Sequence, residues 1–260
     1  ALLTLSTAHA ELILHESFDR PVGNLNVGNT PAANNTDWYS FSGTSNYISV
    51  VEGSLSYEGY AEAAGKKVEL VGNGADDLRK FAPITSGKVY VAAIINVDSL
   101  KPSGSAEYFL SLGDASNSNM WGRLYYRSVD KVGDNFTGFN LGVTKYAESS
   151  TAYGWADQKL LPKTDYLVVI EYEFVDGELV YVNGNIQVFD PENMDVDSLD
   201  SLKKNIETET VWKKVFGSEE VSDSNMGEGS KTDNAANKKN YKNETGAKLS
   251  ITYPVLHKGF

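Results

Sequence analysis

The stretch Tyr166-Leu167-Val168-Val169-Ile170-Glu171-Tyr172-Glu173-Phe174-Val175, followed by Asp176-Gly177 and Glu178-Leu179-Val180-Tyr181-Val182, decides the fold. Two runs rich in β-branched and aromatic residues flank an Asp-Gly pair. That pair favours the two-residue turn whose central residues both have positive φ, so the stretch reads as a β-hairpin. Alternation splits the first run into two faces. Tyr166, Val168, Ile170, Tyr172 and Phe174 form a core face. Leu167, Val169, Glu171, Glu173 and Val175 share the other.

Further strands read outward from this hairpin. Residues 89–97 form a nearly continuous apolar run, and 108–112, 120–127, 138–143 and 248–256 also have strand character. Asn183-Gly184 marks a second tight turn. Many short strands with regular turn punctuation point to a sandwich or barrel. No fixed-period repeat runs through the chain.

The 260 residues suffice for one large all-β domain or two small ones. Hydrophobic residues make up 41%, which supports a packed core, and no apolar run approaches the ~20 residues of a membrane helix. Cysteine is absent, so disulfides, thiolate zinc and a cysteine nucleophile are excluded. The net charge of −12 repels phosphate backbones, so nucleic acid is not expected as a partner.

Residues 1–10 end in Ala8-His9-Ala10 after a short apolar run. Small residues at −3 and −1 read as the tail of a cleaved signal peptide. The expected location is therefore secreted, periplasmic or at the outer cell surface. Residues 191–247 are rich in Asp, Glu, Asn, Ser and Lys. Leu199, Leu202 and Ile206 recur at helical spacing, as do Val211, Trp212, Val215 and Phe216 before Gly217. We expect a polar, partly helical elaboration on a single domain of residues 11–260.

The ordered series Leu12-Ile13-Leu14-His15-Glu16-Ser17-Phe18-Asp19, Trp38-Tyr39, Ile48-Ser49-Val50-Val51-Glu52-Gly53, Asp77-Leu78-Arg79-Lys80-Phe81, Tyr108-Phe109-Leu110-Ser111-Leu112-Gly113-Asp114 and Phe139-Asn140-Leu141-Gly142 carries a family likeness. It resembles the secreted bacterial domains of the concanavalin A-like lectin/glucanase superfamily, of the laminin-G-like jelly-roll type. The resemblance covers about residues 11–189. It implies an all-β fold, a two-sheet antiparallel jelly-roll sandwich in which the first and last strands pair. Relatives bind glycans, bind proteins or hydrolyse polysaccharides, so the fold alone does not choose a function.

Alternation in 120–127 sets Trp121, Arg123, Tyr125 and Arg127 on one face, with Met120, Leu124 and Tyr126 toward the core. Flat rings stack against sugar C–H faces, and guanidinium forks bind hydroxyls or acidic groups. These four, with Tyr153 and Trp155 in a loop, are the candidate glycan-binding residues. The bland alternative is an outward sheet face whose arginines pair with local carboxylates.

Glu171 and Glu173 lie roughly 6–7 Å apart by strand rise, near the separation of paired glycosidase carboxylates. The Glu-x-Asp-x-(x)-Glu pattern of jelly-roll glucanases is not met, and an ion-paired face with partners on Arg123 or Arg127 is the better reading. His15 and His257 fall on the first and last strands and would need a third ligand such as Glu16 to hold a metal. A serine triad has no Gly-x-Ser-x-Gly support. Asp195, Asp197 and Asp200 are candidate ligands for a structural calcium ion, or a helix-capping cluster. Asp76 and Asp77 lie in a second acidic stretch read as a loop. Asp98-Ser99-Leu100 resembles a short O-glycan acceptor.

Three functions follow from these readings. The first is a non-catalytic, exported glycan-binding module. The second is a structural or adhesive component that contacts other surface proteins, through its edges or through helices at residues 199–216. The third is a polysaccharide hydrolase that uses Glu171 and Glu173.

Overall fold

The computed structural model describes residues 11–26, 37–57, 65–72, 74–102, 104–113, 120–144, 154–182, 187–189 and 248–258. Among them the strands are, in chain order, β1 (Glu11–His15), β2 (Gly23–Asn24), β3 (Tyr39–Ser42), β4 (Ser49–Val51), β5 (Lys67–Val71), β6 (Asp76–Leu78), β7 (Gly87–Ser99) and β8 (Glu107–Gly113). The series continues with β9 (Met120–Val132), β10 (Asn135–Thr144), β11 (Gly154–Trp155), β12 (Asp165–Val175), β13 (Glu178–Val182), β14 (Gln187–Phe189) and β15 (Lys248–Lys258).

The strands form two facing antiparallel sheets and a small ribbon. The larger sheet runs β13-β12-β7-β15-β5-β4-β2, with β1 beside β15 and β14 beside β12. The smaller runs β11-β10-β9-β8, and β3 pairs β6. This is the two-sheet jelly-roll sandwich that the sequence reading expects. The expected signal-peptide remnant and the helical elaboration at 191–247 lie outside the described residues. No helix of the described residues is long and apolar enough to cross a membrane.

The hairpin that opened the reading is present. Val175 pairs Glu178 across Asp176 and Gly177, whose φ angles are +51° and +83°. The core-face residues Tyr166, Val168, Ile170, Tyr172 and Phe174 all join the core, against Leu124, Tyr126, Phe139, Leu141 and Val143 of the smaller sheet. β7 lies between β12 and β15 and sends Val89, Val91, Ala93, Ile95 and Val97 into that core. Its Ala92 and Ile94, beside Val169 and Leu167 of β12, are buried on the opposite face as well. Burial on both faces explains why the 89–97 run is continuous rather than alternating.

Tyr172 ties the two sheets together. Its hydroxyl donates to the carbonyl of Gly122 on β9 at 2.8 Å. Gly122 has φ +56°, and a Cβ there would run into the Tyr172 ring. Glycine is needed on both counts.

β15 pairs with β5 through Lys248–Ile251 and with β1 through Val255–Lys258, while β7 runs along its other edge. The register slips between Thr252 and Val255, where Pro254 sits. Proline has no N–H to give the ladder, so a bulge is where a strand tolerates it. Just beyond β1, the buried Glu16 fastens the turn that follows. Its Oε1 accepts the Phe18 N–H at 2.8 Å. Its Oε2 accepts from Trp38 Nε1 and Arg79 Nη1, each at 2.8 Å.

Candidate functional site

On β9, Leu124 and Tyr126 point into the core, so Arg123, Tyr125 and Arg127 share the outer face of the smaller sheet. The register builds a row across all four strands of this sheet. Tyr108 of β8 pairs Tyr125, Tyr125 pairs Gly142 of β10, and Gly142 pairs Trp155 of β11. The Tyr108 and Tyr125 rings meet edge to face, with centroids 6.0 Å apart. At Gly142 a Cβ would run into the Trp155 indole, so glycine lets that ring lie against β10. One row along the strands, Arg123 pairs Thr144; on the other side, Arg127 pairs Asn140.

Both guanidinium groups rest on rings of the row. Arg123 Cζ lies 4.8 Å from the Tyr108 centroid, and Arg127 Cζ lies 4.2 Å from that of Trp155. Such stacking contributes about 0.5–2 kcal/mol and fixes the orientation of the fork. Tyr108 donates its hydroxyl to Asp76 Oδ1 at 3.1 Å, and Asp76 also accepts from Ser42 Oγ. Burial, followed by the Asp76 charge, raises the Tyr108 pKa, so this phenol keeps its proton. Asn140 gives one amide N–H to the Gln158 carbonyl at 2.7 Å. The Arg127 Nε and the Thr144 Oγ1 are buried with no hydrogen-bond partner among the described residues.

The structure therefore brings together Arg123, Tyr125, Arg127 and Trp155, as alternation alone could not. It also corrects the expectation of an open face. Tyr125 is 2% exposed and Arg123 8%, and only Arg127 and Trp155 remain half-buried. Tyr153 lies outside the described residues, and only the backbone of Trp121 is described. Tyr108, Asn140, Gly142 and Thr144 belong to this face but are not singled out as site residues from sequence. Their common signal is cross-strand register, which no single strand reveals.

Glu171 and Glu173 sit elsewhere, on the outer face of the larger sheet. Glu171 is 5% exposed and pairs with Lys88 Nζ at 3.0 Å. It also accepts a hydrogen bond from Tyr90, whose pKa is raised by burial and then by the Glu171 charge. The ion-paired reading of this face stands, with a different partner. Arg123 and Arg127 are on β9, which belongs to the other sheet, so Lys88 on neighbouring β7 supplies the charge.

The remaining candidates disperse. His15 pairs Val255, and His257 pairs Leu12. Burial, opposed by the charge of Glu16, lowers the His15 pKa. Glu16 is committed to Phe18, Trp38 and Arg79. Among the described residues no three His, Asp or Glu side chains group to hold a metal ion. Asp195, Asp197 and Asp200, and the 199–216 segment, lie outside the described residues. Asp76 and Asp77 are part of strand β6 rather than a loop. Burial, with the Asp76 charge adding to it, pushes the Asp77 carboxyl up to about 6 against hydrogen bonds from Asn26 and Ser40. Ser99, of the Asp-Ser-Leu triplet, accepts the Lys248 N–H at 3.0 Å.

No family model matches the chain, and no curated protein matches it. Among solved structures it is similar to alginate lyase A1-II′, a member of polysaccharide lyase family 7, with a TM-score of 0.32 and 11% identity. The match covers 86% of this chain and 84% of the lyase. A likeness of that size says nothing of what this chain binds.

Proposed function

We propose that this chain is an exported, laminin-G-like jelly-roll module that binds a glycan at the cell surface or outside the cell, and does not cleave it. The observation that carries the reading is the half-buried end of the row, where Arg127 stacks on Trp155, with Tyr108 half-buried at the other end. Sugars offer flat C–H faces and hydroxyls together, and a face of rings and guanidinium forks answers both. The non-catalytic half of the reading is supported by Glu171. Its carboxylate is buried, ion-paired and on the sheet opposite this row, where it cannot share a substrate with the rings.

A glycan-array screen, with and without added calcium, tests the reading. Trp155→Ala serves as the control, and a urea midpoint shows that it is folded. We expect specific binding that is lost in the variant. A blank across the array would remove the reading and pass its weight to a component of a surface assembly.

A further inference from the structure

The glycan reading leaves the charge of the sugar open, and the treatment of Arg127 bears on it. The chain holds 35 acidic residues against 23 basic ones, so carboxylate partners are plentiful. Arg20 reaches Asp37 at 2.7 Å and Arg79 reaches Glu16 at 2.8 Å. Lys88 pairs Glu171 at 3.0 Å, and Lys159 pairs Asp130 at 2.8 Å. Arg127 differs from all of these. None of the ion pairs between described residues involves it. It stacks on Trp155, and its Nε is buried without an acceptor; the Nε of Arg79 is also unanswered, but Glu16 meets the charge of Arg79.

A buried donor left without an acceptor costs on the order of 1–3 kcal/mol, more when charged. Thr144, 1% exposed, adds a second unanswered group on the same face, its hydroxyl without a partner among the described residues. Asp76, the carboxylate that meets Tyr108 of the row, also holds Ser42. Thr144 could give or accept, but the Arg127 Nε–H can only give, and it asks for an acceptor. A neutral sugar hydroxyl brings a donor with every acceptor. A carboxylate brings acceptors alone, in a plane that a guanidinium fork matches.

We infer that the glycan taken by this face is acidic, and that Arg127, fixed on Trp155, receives a uronate carboxylate. The inference rests on the glycan reading above, and the test separates the two. Titration calorimetry of the full chain would use polygalacturonate and hyaluronan, each beside its carboxyl-reduced, neutral form, with poly-glutamate as a non-sugar polyanion. The net charge of −12 works against unspecific capture of any of these acids. We expect one of the two acidic polymers to bind and its reduced form to bind at least about ten-fold more weakly, the range of a lost charge-assisted hydrogen bond. Arg127→Gln should reproduce that loss on the acidic polymer, and Arg127→Lys should restore only part of it. Equal binding of the acidic and reduced polymers would overturn the acidic assignment and leave the glycan reading standing. Equal or tighter binding of poly-glutamate would also overturn it, since the carboxylate would then come from a peptide. No binding by any polymer, together with a blank array, would end both.

Discussion

The two outer faces of the sandwich handle their charged residues in opposite ways. On the larger sheet, Glu171 meets Lys88 and Tyr90 among buried apolar neighbours, and its charge is answered within the molecule. On the smaller sheet, Arg127 lies on the Trp155 ring and enters none of the ion pairs between described residues, while Arg123 lies on Tyr108 and gives its Nε–H to the Met120 carbonyl at 3.3 Å. A charge matched by an opposite charge holds structure. A cation pinned by a ring keeps its fork in place for something else. The difference separates a supporting face from a candidate binding face, although both carry charged and aromatic residues in alternating strands.

That comparison can be broken in several places. The largest effect is expected from Gly122→Ala, which strikes the core between the faces. The added methyl meets the Tyr172 ring and sits at positive φ, so about 3 kcal/mol should be lost. Urea melts read it, and binding per folded molecule should be unchanged. Next comes Glu171→Ala, which removes the carboxylate that Lys88 and Tyr90 share. The Lys88 head is partly exposed, which holds the loss to about 2 kcal/mol. Sugar binding should not move; if it falls as far as in Arg127→Gln, the division between the faces is wrong.

Gly142→Ala should cost about 1–2 kcal/mol by lifting the Trp155 ring from β10, and binding should fall with it. A red-shifted tryptophan emission would show the ring leaving its seat. Arg127→Gln should alter stability by less than about 1 kcal/mol, since it removes a ring contact and an unanswered buried donor together. Its effect should appear in binding alone. The smallest effect concerns Asp77, whose carboxyl is pushed up to about 6. A raised carboxyl pKa means that folding takes up a proton. The associated stability is fully present below pH 3.8, the ordinary value, and is lost as pH rises through about 6. Asp77→Asn should therefore be more stable than the parent at pH 7.5, by under about 1 kcal/mol for a partly exposed group, and equal to it near pH 4. Thermal melts at the two pH values would check the sign.

Much of this architecture is legible in the sequence. Asp176-Gly177 specifies its turn through positive φ, and the alternation around it assigns every core residue of β12. The ends of strands are harder to read. The sequence reading stops one strand at Arg127 and starts the next at Gly138. The chain in fact runs on to Val132 and returns from Asn135. Residues 130–135 are exposed, so no apolar periodicity marks them. Asp76–Leu78 reads as a loop because paired aspartates are poor strand formers, and only pairing with Tyr39–Ser42 makes it a strand. The candidate site was legible strand by strand and illegible across strands. Arg123, Tyr125 and Arg127 fall on one face by parity. That Tyr108, Gly142 and Trp155 complete their row, and that Tyr125 is covered, depend on register and burial that emerge only when distant segments meet.

β15 has a consequence for the order in which the molecule is made. It lies between β7 and β5 in the larger sheet, yet it is the last strand to leave the ribosome among those described. Until it arrives, β13-β12-β7 and β5-β4-β2 are separate fragments, each with an unpaired edge, and β1 has no partner at all. Assembly of the larger sheet therefore waits on β15 and on contacts between residues as far apart as Glu11 and Lys258. Such long-range pairing makes for slow folding. A chain that closes late keeps the edges of β7 and β5 bare for longer, and bare strand edges are where other chains can pair.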